Sequence, residues 1–178
     1  MDVDLTSYNP ERYTSPHIDL GAEYSYVKFL VKKTYANRRA DGTTNTGLLL
    51  SLGRFQIYEA YEDTVTPTPG PTGPVWKKDV ALLTDASQIS SNNVQDGFPP
   101  SNLLRPESDG FATGQYIWHT SWSNPAPANT DTYLQTHFNQ AVQDIIFTMT
   151  SSEWNATYDT PDEVVIMATN TPDVETSW

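Results

Sequence analysis

Two tryptophans flank a histidine in Ile117-Trp118-His119-Thr120-Ser121-Trp122, and that grouping has sugar-binding chemistry available to it. An exposed indole stacks on the apolar face of a pyranose while polar neighbours fix the hydroxyls. Trp122 and Trp154 fall at loop positions suited to this, Asn155 and Asn92 can supply amide contacts, and His119 can donate to a sugar hydroxyl. Each has a plainer reading as well. Trp118 falls where the strand pattern would bury it, Trp154 could equally pack a rim, and a lone His beside aromatics is commonly a satisfied structural residue. No Ser/Asp set lies near His119 in sequence, and nothing places two carboxylates across a cleft, so the reading is non-enzymatic.

Composition narrows the partners. The chain has 178 residues, five Trp, ten Tyr and six Phe, with only 18% charged side chains, which suits one aromatic-rich β domain. A formal charge of −12 disfavours phosphate backbones, because the compact basic groups are only Lys32-Lys33 with Arg38-Arg39, and Lys77-Lys78. Nucleic acid and anionic membrane are therefore not expected partners. No Cys is present, so thiol catalysis and zinc-thiolate sites are excluded. No apolar run approaches the roughly 18 residues of a membrane span, and the acidic start MDVDL has neither the basic nor the apolar region of a signal peptide.

Along the chain the dominant period is two. Val27, Phe29 and Val31 share one face of a strand over 24–33, Phe55 and Ile57 share another over 48–58, and Trp76 to Thr84 forms a third strand. Residues 37–47 are turn chemistry, and 85–93 form a polar Ser/Asn loop. Four prolines and two glycines in TVTPTPGPTGP make 63–75 a linker of extended character, reaching roughly 30 to 35 Å. Pro99 to Leu104 is a capped single helical turn stopped by Pro106. Strands over 133–138, 144–150 and 163–169 complete the set, with Ile145, Phe147, Met149 and Val164, Ile166, Ala168 at alternate positions. The fold class is all-β, an antiparallel β-sandwich or jelly roll.

The series Ser101-Asn102-Leu103-Leu104, Asp109-Gly110, Trp118 to Trp122, Tyr133-Leu134-Gln135, Ile145-Ile146-Phe147 and Val164 to Asn170 resembles the front part of a coagulation-factor type C, or discoidin-like, domain. Tyr26 to Thr34 and Leu52 to Tyr58 resemble the last strands of the same family, a galactose-binding-like jelly roll. Their order is permuted: 1–62 is like the family's C-terminal half, 76–178 like its N-terminal half. The resemblance implies one of three arrangements. The chain is a circular permutant, or its first part completes a neighbouring subunit by strand exchange, or it is a fragment of a tandem array.

The resemblance also implies a role. Family members bind glycans without cleaving them, so the expected partner is a cell-surface glycan or polysaccharide, gripped by loops 87–93, 107–122 and 151–160 in an extracellular, cell-surface or virion setting. The alternative is a structural subunit of a filament, fibre or virion, a homo-oligomer formed by strand exchange. Many relatives hold a structural calcium, so the cofactor expectation is none or one such ion, with Glu107, Asp109 and Thr113 as oxygen ligands. Arg54 stands where those relatives carry a final-strand Glu, and near the sugar loop Glu153, Asn155 and Asp159 replace their basic side chain. Asn155-Ala156-Thr157 is a glycosylation sequon, meaningful only in an exported eukaryotic chain. The permuted reading requires the strand over 24–33 to lie antiparallel in a sandwich that also holds Phe147 and Ile166.

Overall fold

Period-two sequence produces strand almost throughout. The computed structural model describes residues 2–4, 13–34, 47–62, 76–105, 116–121, 126–127, 132–152 and 159–178. In chain order its strands are β1 (Asp2–Asp4), β2 (Tyr13–Thr14), β3 (Ile18–Thr34), β4 (Gly47–Leu48), β5 (Ser51–Glu62), β6 (Trp76–Ala81), β7 (Ile89–Ser91), β8 (Trp118–His119), β9 (Ala126–Pro127), β10 (Thr132–Ser151) and β11 (Pro161–Thr169). Short 3-10 turns occur at Ala86–Gln88, Pro100–Leu104 and Glu175–Ser177. The fold is all-β and antiparallel, a curled sheet in which β1, β11, β3, β10, β5 and β6 are successive neighbours.

The curl comes from two long strands bending at one corner. The first half of β10 pairs β3 from Thr132↔Val31 to His137↔Tyr26, and β7 lies on its other edge. Register then shifts between His137 and Val142 and again before Asp144, after which Asp144↔Asp19 and Ile145↔Ile18 resume the ladder. The second half of β10 pairs β5, from Ile145↔Glu59 to Ser151↔Leu52. Gly21 sits at the corner of β3 with φ +83, a value at which a Cβ would be strained, and bulges of this kind are how a strand turns from one layer to the next. Asp19 fixes the bend, its Oδ1 accepting from Gly21 N at 2.7 Å and from Gln143 Nε2 of β10 at 3.1 Å.

Inside the curl, residues from both sides of the proline-rich segment share one core. Phe29 of β3 meets Phe55 of β5 with ring centroids 4.8 Å apart and an interplanar angle of 76°, and meets Phe147 of β10 at 5.1 Å and 72°. Such edge-to-face pairs each add about 1 kcal/mol beyond the area they bury. Val27, Ile57, Leu134, Ile145 and Ile166 belong to the same buried cluster, as does Trp118. β3 is antiparallel to β10 on one side and to β11 on the other, all within one chain.

Three readings from sequence change in detail. The two strands over 133–138 and 144–150 are one strand of 20 residues, because Val142 returns to the core across the exposed Asn139, Gln140 and Ala141. The polar stretch 85–93 is structured. Asp85 and Gln88 form a capping box around Ala86–Gln88, and β7 follows. The turn at Pro100–Leu104 has no side-chain cap, and Asn102 Nδ2 instead donates to Ile117 O at 2.8 Å. The expected linker 63–75 lies outside the described residues; Glu62 and Trp76, which bound it, pair with each other across β5 and β6.

Gln88 is the most heavily bonded buried amide described. Its Oε1 accepts from Thr84 N at 2.7 Å and Asp85 N at 2.8 Å, and its Nε2 donates to Leu82 O at 3.1 Å and His137 O at 3.2 Å. Gln88→Ala leaves these backbone groups unmade in a buried place and is expected to cost about 3 kcal/mol, read from the urea midpoint at unchanged slope. A loss below about 0.5 kcal/mol would show that water replaces the amide.

Two exposed carboxylates are held below their ordinary range. Asp19 is held below its ordinary value of 3.8 chiefly by the Gly21 N–H, then by Gln143 and the His17 charge. Asp85 is lowered by the Ser87 hydroxyl, then by its N–H. A folded pKa below the unfolded one stabilises above the unfolded value and is lost as pH falls through the folded value. Stability is therefore expected to fall between pH 4 and the lower folded values, and Asp19→Asn with Asp85→Asn to flatten that decline in urea titrations, against an unchanged slope if neither matters.

Candidate functional site

Of the residues singled out from sequence, His119 has the most complete surroundings, and they are enclosed. It is 5% exposed at the end of β8, where its backbone N donates to Phe98 O at 3.3 Å and its O accepts from Gln95 N at 2.8 Å. One ring nitrogen, Nδ1, bonds the Thr120 carbonyl, and Nε2 lies 3.6 Å from Asp159 Oδ2. Around it is a buried polar knot. Thr120 Oγ1 accepts from Leu50 N at 2.9 Å, Ser51 Oγ donates to Ser152 Oγ at 2.7 Å, and Ser51 N donates to Asp159 O at 2.9 Å. This knot stitches β5, β8 and the segment before β11 together.

The described parts of the expected loops do converge. Asn93 Oδ1 accepts from Ser121 N at 3.0 Å, joining the end of 87–93 to the end of 116–121, and Asp159 approaches His119. Asn92 is exposed, but its Oδ1 accepts from Tyr133 N at 3.1 Å, a clamp on the start of β10. Trp118 is fully buried, and its Nε1 finds no hydrogen-bond acceptor. Trp122, Trp154 and Asn155 lie outside the described residues, as do Glu107, Asp109 and Thr113 of the calcium expectation. Among the described residues no three His, Asp or Glu side chains are grouped to hold a metal ion.

Sequence reading did not anticipate a groove of about 230 Å³ on the outer face of β5 and β10. Period two builds it. Phe55 and Ile57 of β5 point inward, so Arg54, Gln56 and Tyr58 point outward, and the register sets Arg54 against Thr150 and Gln56 against Thr148. The turn Pro100–Leu104 closes one wall with Leu103, Leu104 and the following Arg105. Gln56 is committed to the floor, its Oε1 accepting from Leu83 N at 3.1 Å and its Nε2 donating to Leu83 O at 2.9 Å. Tyr58 carries Lys78 Nζ 4.3 Å from its ring centroid, and the Arg105 guanidinium lies 4.8 Å from that of Tyr116. The groove thus sets two forked cations and two threonine hydroxyls beside an aromatic ring and two leucines.

Enclosure gives His119 a structural task that can be measured. His119→Ala removes the ring from between Thr120 O and Asp159 and is expected to cost about 2 to 3 kcal/mol in urea unfolding. Retention on a polysaccharide should stay within about twofold at a temperature where the variant is folded, since a twofold change is only about 0.4 kcal/mol. Lost retention with unchanged stability would make His119 a ligand contact instead. No family model, no curated protein and no solved structure matches this chain.

Proposed function

We propose that this chain is a non-enzymatic carbohydrate-recognition module of the discoidin-like, galactose-binding-like type. The observation that carries the reading is the groove on β5 and β10, whose lining sets Tyr58 and Leu104 beside Arg54, Arg105, Thr148 and Thr150, the aromatic, aliphatic and polar types a sugar ring uses. The ordered likeness of its strands to a glycan-binding family supports it from an independent direction. Binding is weak per site and gains strength where several copies meet a repeating polymer, as in surface glycan or polysaccharide.

Self-assembly by strand exchange has less in its favour. β3 finds both ladder partners, β10 and β11, in its own chain, so neither of its edges is left for a neighbour's strand.

Affinity electrophoresis through gels containing neutral and acidic polysaccharides tests the proposal. The chain should be retarded by at least one of them, and Tyr58→Ala should weaken that retardation about tenfold, the equivalent of 1.4 kcal/mol. Retardation by none, or release of new reducing ends in proportion to protein added, would overturn it.

A further inference from the structure

His17, just ahead of β3, lies between an aromatic face and a carboxylate. Its ring stacks on the Trp76 indole of β6, centroids 3.4 Å apart and planes 4° from parallel, and its Nε2 is 2.6 Å from Asp144 Oδ1 of β10. Trp76 opens β6, which pairs with β5 and ends the path of strand neighbours. The three side chains therefore join that end strand to β10 directly, past the intervening β5. We infer that His17 is a pH-operated clasp on β6, tighter when its ring carries charge and looser when the ring is neutral.

The hydrogen bond identifies the proton that works the clasp. A carboxylate only accepts, so Nε2 donates to Asp144 in both ring states, and the proton that comes and goes is the one on Nδ1. The bond survives deprotonation. What is lost is the charge that draws the ring to Asp144 and to the indole, whose centroid is well inside the roughly 6 Å reach of a cation–π contact. The neighbouring strands add to that pull. Asp19 of β3 feels the His17 charge, and β5 brings Glu62, the rung partner of Trp76, and Glu59, opposite Ile145, which accepts from Gln140 Nε2 at 3.4 Å. With Asp144 these make four carboxylates. Against them stand Lys77 and Lys78 of β6, a strand that also carries Asp79 in its sequence, and Lys78 Nζ lies over the Tyr58 ring. β2 contributes no charged residue. The side chains of His17 and Asp144 are 19% and 30% exposed, so solvent screens the pair in part and the effect is modest. A histidine whose cation gains partners on folding contributes stability that is present in acid and lost as pH rises through its folded titration. Histidines titrate in the range of about pH 5 to 8.

Native-state hydrogen exchange of the full chain tests the inference, with protection factors taken relative to the intrinsic exchange rate at each pH. The β6 amides that pair with β5 should be protected about fivefold more at pH 5.5 than at pH 7.5, while amides in the β3–β10 ladder change less than about twofold. His17→Phe keeps a ring to stack on Trp76 but cannot be charged, and should abolish the difference at β6. Asp144→Asn keeps an acceptor without its charge and should reduce the difference by about half. Because the chain holds three histidines, these variants assign the effect to His17. Equal protection of β6 at the two pH values, an equal change in the β3–β10 ladder, or a pH difference that persists in His17→Phe overturns the inference. Should His17→Phe fail to fold, Asp144→Asn decides, and a full pH difference in that variant overturns it as well.

Discussion

The contact on which the fold depends is the meeting of Phe29, Phe55 and Phe147. Phe29 and Phe55 come from the chain before the proline-rich segment and Phe147 from well after it, and the three rings lie within 4.8 to 5.9 Å of one another. β3 and β5 present Val27, Phe29, Phe55 and Ile57 to a core shared with β10, which pairs with both strands, and β11 pairs the other edge of β3. Almost all of the sheet's long ladders therefore close over large sequence separations, the kind of topology in which loop entropy is met before contact energy is gained.

That same constraint produces the groove. Once Phe55, Ile57, Phe147 and Met149 are committed inward, alternation sends Arg54, Gln56, Tyr58, Thr148 and Thr150 to the other face of β5 and β10. The core thus fixes the register of a polar surface with no further instruction. Gln56 shows the limit of counting such residues as ligands, because its amide is spent on the Leu83 backbone and on its own strand. The buried knot of Ser51, His119, Thr120, Ser152 and Asp159 is the opposite case, a polar cluster whose hydrogen bonds tie strands together.

Period two made most of the fold legible. Val27, Phe29 and Val31, then Ile145, Phe147 and Met149, then Val164 and Ile166 all read inward from sequence and are buried. The continuity of β10 did not show, because Asn139 and Gln140 look like turn residues when they are the exposed side of a bend. The Asp85-Ala86-Ser87-Gln88 turn did carry a signal, the spacing of a capping box followed by an apolar residue, hidden among Ser and Asn. The groove was legible only in part. The outward polar row of β5 could be read beside its inward phenylalanine and isoleucine, but Arg54 and Thr150 are far apart in sequence and meet only through the pairing of two strands. His119 was legible as a type and not as an environment, since burial beside Asp159 depends on where distant segments fold.

The pairing of Glu62 with Trp76 gives the β5–β6 edge an unusual mechanical position. The two residues share one rung, and the Trp76 indole lies flat on His17, centroids 3.4 Å apart at 4°, while His17 is hydrogen-bonded to Asp144 at 2.6 Å. A load pulling outward between Glu62 and Trp76 would open β6 from β5 one rung at a time, as a zipper, and would not shear the central ladders of β10. Lengthening the chain between these two residues is correspondingly cheap, about 0.6 kcal/mol for each doubling. The Glu62–Trp76 rung is therefore a point at which inserted sequence could be carried without touching the aromatic interior.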